Sequence, residues 1–325
     1  MRASPRLEGG APIFQRFKSP RRVPITDTAP RSIGRRGREN LFAYLMLAPD
    51  LLGLALFIFA PIVMAFIVSL HSWDALTPMS YIGLGNYATL LADSDWWRSL
   101  GITLSYVLMY VSLTFCASLA LAVFLASMRN LQEFFRTLYF IPFAISTVVS
   151  GMIWLFMYND KNGYLNAGIR ALGLPPMRFL SNTSQALPSI AVATAWMSVG
   201  YYTIIFLTAI KDIPVSYYEA ARLDGANARQ VFFRITFPLL REVNAFVLII
   251  TTIASFQVFD QVKIMTNGGP ANATSVTVFY VYRQCFEFMK LGYSSSLAFV
   301  LFVVIFLVSI AQIKLTHADR GSSGE

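Results

Sequence analysis

Three kinds of residue are scarce in this chain, and each scarcity closes a class of function. Histidine occurs only twice in 325 residues, at His71 and His317, and neither falls in a convergent pattern with Cys, Asp or Glu. Metal ligation and histidine-based acid–base catalysis therefore lack their usual ligand sets. Cysteine also occurs twice; Cys116 sits within an apolar run and Cys285 between two such runs, so the two are not expected to meet as a disulfide. Charged residues make up only 13% of the chain. A phosphate loop of the form G-x-x-x-x-G-K-[ST] is missing too, since Gly268-Gly269 runs into Pro270 with no lysine to reach a phosphate. No catalytic, cofactor-binding or metal-binding residues are expected, and any ATP-driven work must draw on another subunit.

What the chain has in abundance is hydrophobic sequence, 56% of the total, gathered into long runs rather than spread at amphipathic spacing. Six runs, at about 43–70, 100–127, 138–158, 187–210, 241–262 and 293–315, come near or exceed the roughly 20 residues a helix needs to cross hydrocarbon. A lipid-exposed backbone must satisfy its own hydrogen bonds, and short alternating segments are missing, so the expected fold is an all-α membrane protein with six transmembrane helices. Of the 26 Lys and Arg, 19 fall in residues 1–40, 128–137, 211–241 and the C-terminal tail. That bias places both termini and these loops in the cytoplasm. Residues 1–40 read as an Arg-rich, mobile tail and retained anchor that touches anionic lipid headgroups rather than nucleic acid. Residues 41–315 form the membrane domain and 316–325 a short cytoplasmic tail.

One polar stretch interrupts the apolar pattern, "YYEAARLDGANARQVFFRITFPLL" at 217–240. Asp212 is expected to cap a helix starting near Pro214 and running through Glu219, Ala220 and Ala221. Asp224-Gly225 ends it, because glycine permits the left-handed turn. A second short helix is expected from Asn227 until Thr236-Phe237-Pro238 breaks it. Small alanines let a partner backbone approach, and Glu219 offers it a carboxylate. On local physics alone, an amphipathic loop resting on the membrane surface fits the same residues.

The spacing of this stretch resembles the cytoplasmic signature of ABC-importer permease subunits: E-A-A, three residues, G, nine residues, I, one residue, L-P. Here Glu219-Ala220-Ala221 is followed by Gly225, Ile235 and Pro238, with Phe237 in place of leucine. The segments "NLFAYLMLAPDLLGLALFIFAPIV", "IGLGNYATLL" and "MTNGGPANATS" are similar to the carbohydrate-uptake branch of that family, of maltose and glycerol-3-phosphate type. The resemblance implies a type I importer permease bundle in the cytoplasmic membrane of a bacterium or archaeon. It implies that Glu219, Ala220, Ala221, Asp224, Gly225, Ile235 and Pro238 couple to a cytoplasmic ABC ATPase dimer. A second permease, unequal or identical, and an extracytoplasmic solute-binding protein complete the implied assembly.

A sugar in transit needs hydroxyls and flat aromatic faces on cavity-facing spans. Ser198 and Tyr201 share one face of the fourth span, while Thr251, Ser255 and Val258 share one of the fifth, with Gln257 beside them. Ordinary interhelical hydrogen bonds account for the same residues equally well. Glycerol-3-phosphate or a related phosphodiester is the alternative solute, disfavoured by the lack of mid-span Arg or Lys. An ion-coupled secondary transporter is disfavoured by the near-absence of intramembrane charge.

Overall fold

The computed structural model describes residues 33–128 and 132–318. The Arg-rich tail is outside the described residues up to position 32, as is the end of the chain after 318. The chain divides into two units, residues up to Ile58 and from Phe59 onward. The first unit carries α1 (Ile33–Leu54), followed by a π-helical turn, Ala55–Phe59, that buries none of its residues.

In the second unit α2 (Ala60–Ser69) leads to a small hairpin, β1 (His71–Ser72) with β2 (Ser80–Tyr81), then to α3 (Gly85–Ala92) and the long α4 (Ser94–Ser127). Next come α5 (Gln132–Ala144), α6 (Thr147–Met157), α7 (Tyr164–Ala171) and α8 (Ala186–Lys211). The polar stretch folds as α9 (Val215–Leu223), α10 (Ala228–Val231), a π-turn Phe232–Thr236 and α11 (Phe237–Leu239). Finally α12 (Arg241–Phe256), α13 (Asp260–Met265), α14 (Thr277–Tyr282) and α15 (Leu291–Ala318) complete the chain.

Four helical runs are long and apolar enough to cross a membrane: Phe42–Ser69, Ser94–Ser127, Ala186–Lys211 and Leu291–Thr316. Their bounds lie within a few residues of the expected first, second, fourth and sixth spans. The third departs from expectation as a single straight helix, whereas the bend before Arg241 falls ahead of the expected fifth span, two residues past the break expected at Thr236-Phe237-Pro238. Glu133–Ala144 and Thr147–Met157 meet at 98°, and Ala228–Leu239 meets Arg241–Phe256 at 70°. Pro142, near the first break, removes a ladder hydrogen bond, and extended Ser146 then restarts the helix as α6. The expected fifth span also ends early, at Phe256, with α13 a separate short helix.

The second unit is built around α8, which packs along α4. Phe206, Ile190 and Leu125 are completely buried there. Between helices in lipid the hydrophobic effect supplies little, so close backbone approach and interhelical hydrogen bonds hold the bundle. Gly200 makes one such approach possible: a Cβ at that position would sit 1.8 Å from the carbonyl oxygen of Tyr139 on α5. A polar bond is the other device, between the Tyr110 and Ser198 hydroxyls of α4 and α8, 2.8 Å apart and buried.

Candidate functional site

The loop that follows α8 presents a short, firmly ended helix with an open outer face. Along α9 only Ala221 is buried, with Tyr218 half-buried three residues before it. These two turn toward the bundle. Glu219, Ala220, Leu223, Asp224 and Gly225 are exposed, Leu223 by 90%. The two alanines therefore split between faces: Ala221 packs inward, and Ala220 leaves the outward face low enough for another backbone to lie against it. Neither the Glu219 nor the Asp224 carboxylate has a hydrogen bond or ion pair among the described residues.

Gly225 ends α9 in the left-handed region, with φ of +75°. The amide of Ala226 donates to the Ala221 carbonyl at 2.9 Å and that of Gly225 to the Arg222 carbonyl at 3.1 Å, which together form a Schellman motif. Nothing lies within 4 Å of where a Cβ would stand, so the backbone angle alone demands glycine. The second arm starts as expected at Asn227, whose side chain accepts from the Gln230 amide at 2.9 Å while Gln230 accepts from the Asn227 amide at 2.8 Å. This is a reciprocal capping box.

Two local expectations fail. Pro214, not Asp212, occupies the N-cap of α9, and no side chain caps that end. Nor does Pro238 break the second arm: it falls in the first turn of α11, where its missing amide costs nothing, and the chain bends only after Leu239. Ile235 is half-buried in the π-turn and Pro238 is exposed. The arms meet where the hydroxyls of Tyr218 and Thr236 stand 3.4 Å apart.

The expected solute-facing residues separate into two kinds. Ser198, Thr251 and Ser255 are buried, and their hydroxyls donate to carbonyls of their own helices, to Thr194 at 2.7 Å, Val247 at 2.6 Å and Thr252 at 2.7 Å. Tyr201 is half-buried and stacks on Phe143 of α5, centroids 4.7 Å apart. Gln257 is exposed. No hydrogen bond among the described residues joins the α8 set to the α12 set. Val258 follows the end of α12 and is buried, so it does not continue the Thr251–Ser255 stripe.

At the end of the bundle away from this loop lies a cluster that the sequence reading overlooked. Asp93 caps α4, accepting from the amides of Asp95 at 3.0 Å and Trp96 at 3.2 Å. Its other oxygen accepts from the hydroxyls of Tyr280, at 2.7 Å, and Tyr293. Gln284 donates to the Tyr280 oxygen at 2.8 Å. Burial alone would raise the carboxyl's pKa, but the hydroxyls of Tyr280 and Tyr293 and the two amides outweigh it and hold the group below its ordinary value. Burial, then the Asp93 carboxylate, raise the Tyr280 hydroxyl's pKa. The N-cap signal Asp93-Ser94-Asp95 was present in the sequence; the two distant tyrosines had no local mark.

The long apolar helices define a polytopic membrane protein. The chain belongs to the family of binding-protein-dependent transport system inner membrane components, which matches residues 118–318. It is the permease component of an ABC importer, a multi-pass protein of the inner membrane and not itself an enzyme. The probable ABC transporter permease protein YurN of Bacillus subtilis is 34% identical over 288 residues, covering 87% of this chain and 98% of that protein. The trehalose/maltose transport system permease protein MalF of Thermococcus litoralis is 31% identical over 284 residues, 87% and 96% of the two chains. The sn-glycerol-3-phosphate transport system permease protein UgpA of Agrobacterium fabrum is 32% identical over 285 residues, 86% and 96%. A solved bacterial alginate ABC transporter in complex with alginate pentasaccharide-bound periplasmic protein contains a chain of the same fold. It aligns with a TM-score of 0.78 at 20% identity, over 90% of this chain and 99% of that one.

Proposed function

We propose that this permease imports a sugar or oligosaccharide and that α9 couples it to a cytoplasmic ATPase dimer. The observation that carries the coupling is the exposed, unpartnered outer face of a helix whose C-terminal end is fixed by a Schellman motif. Glu219, Ala220, Asp224 and Gly225 form the contact surface. Ala221 seats the helix on the bundle, and Ile235 and Pro238 stiffen the second arm. Both termini lie in the cytoplasm, with the two bent helix pairs counted as spans. A second permease completes the pathway, and a solute-binding protein delivers the solute from outside. ATP-driven closure acts by its differential affinity for the two states of the assembly, and α9 transmits it.

The relatives named for maltose, trehalose and glycerol-3-phosphate leave two solute chemistries, and the apolar middles of the spans, free of Arg and Lys, favour the neutral one. Tyr201 and Gln257 meet the solute, while Ser198, Thr251 and Ser255 hold the helices that carry them. The test is Gly225→Pro in the assembled transporter. Proline cannot adopt the +75° φ, so the variant should insert normally while solute-stimulated ATP hydrolysis falls to the basal rate. Full stimulation in the inserted variant would refute the coupling role.

A further inference from the structure

Behind α9, a cavity of about 590 Å³ opens between the ends of α4 and α8 and the second arm of the loop. That volume falls in the usual range for small-ligand pockets. Its walls are mainly apolar, with Val123, Ile213 and Phe232 among them, and Lys211 and Arg222 stand at its lining. Among the described residues no acidic side chain lines it, and neither cation has an ion pair. Its depth follows from the helices that make it: Ser127 and Lys211 are the last residues of two membrane-spanning helices. The cavity therefore lies at the loop-side ends of two membrane-spanning helices.

An apolar chamber with two unpaired cations, at that depth, matches an amphiphile with an anionic head. Basic pockets between transmembrane helices on the cytoplasmic side are of this kind. We infer that the cavity holds one anionic phospholipid of the inner leaflet, an acyl chain against Val123 and Phe232 and a phosphate between Lys211 and Arg222. Arg222 belongs to α9, so the lipid ties the loop to the bilayer at the ends of α4 and α8. The inference takes its leaflet from the cytoplasmic placement proposed for the α9 loop.

The probe is phosphatidylglycerol, titrated into phosphatidylcholine nanodiscs that carry the assembled transporter, with lipid retention counted by native mass spectrometry. Wild type should retain phosphatidylglycerol selectively. Each cation near an anionic surface contributes about fivefold to such retention, so Lys211→Gln with Arg222→Gln should weaken it roughly 25-fold. Ala126→Phe, which fills the chamber and keeps both charges, should weaken it as well. A photo-crosslinker at Ser127 should add the mass of one phospholipid.

Equal retention in all variants would overturn the inference. So would inorganic phosphate protecting the site while phosphatidylglycerol is not retained, or a crosslink from position 127 to peptide. Lipid retention is measured without ATP, so its failure leaves the coupling role intact. Normal ATP hydrolysis in Gly225→Pro would remove the coupling role and leave the lipid site standing.

Discussion

The two ends of the membrane bundle treat their polar groups in opposite ways. Around Asp93, the carboxylate accepts from two tyrosine hydroxyls and two backbone amides, and a glutamine amide donates to one of the tyrosines. On α9, Glu219 and Asp224 point outward, and the backbone of the C-terminal end is tied down by its Schellman bonds. A buried polar group without a partner is costly, so hydrogen bonds made within the chain serve stability. Exposed carboxylates on a rigid helix cost nothing to leave unpaired in water and stay available to another subunit. Substitutions in the first region should therefore be felt in stability, and those in the second in coupling.

The largest stability effect is expected away from both regions, at the Gly200 crossing. Gly200→Ala forces a Cβ onto the Tyr139 carbonyl and should cost about 3 kcal/mol or prevent assembly, read as a fall in the thermal midpoint of the complex in nanodiscs. Asp93→Ala comes next. It strands two hydroxyls and the first-turn amides of α4 and should cost about 2 kcal/mol, with ATP stimulation intact in whatever folds. If stimulation were lost and the midpoint unchanged, the contrast between the two ends would be broken.

The same residue gives the pH dependence. Its folded pKa is depressed, so its stabilisation is complete above the ordinary carboxyl value and drains away as pH falls through the depressed one. Asp93→Asn should flatten that acid-side loss in a melting series taken from pH 6 to pH 3. Tyr280→Phe removes one of the two hydroxyl donors and should cost about 1 kcal/mol. The smallest stability effect belongs to Glu219→Gln, within about 0.5 kcal/mol of wild type because the side chain has no intramolecular partner. Its solute-stimulated ATP hydrolysis should nevertheless fall several-fold; a matching loss of thermal midpoint would show that Glu219 serves the fold instead.

Much of this organisation was legible in sequence, for reasons specific to each element. Hydrocarbon thickness fixes span length, so four apolar runs appear with their ends nearly in place. Gly225 and Asn227 announced their turn and cap because both act through their own neighbouring backbone. Asp212 and Pro238 misled because a residue suited to a cap or a break need not act as one: Pro214 takes the cap position, and Pro238 fits harmlessly into a first turn. The bend in the third span was hidden because an apolar run looks the same whether its helix is straight or broken. Ser198, Thr251 and Ser255 looked available for a solute because spacing shows which face a hydroxyl shares, not whether a neighbouring turn already accepts its hydrogen. The Asp93 cluster joins residues almost 200 positions apart, beyond any local pattern.

The crossing of α5 over α8 has a mechanical consequence. Side chains between two helices act as compliant spacers, since a rotamer change can absorb a small displacement. At Gly200 no spacer exists, and the backbone of one helix bears directly on that of the other. A rotation of α8 therefore meets α5 without play, so the two helices turn as one gear.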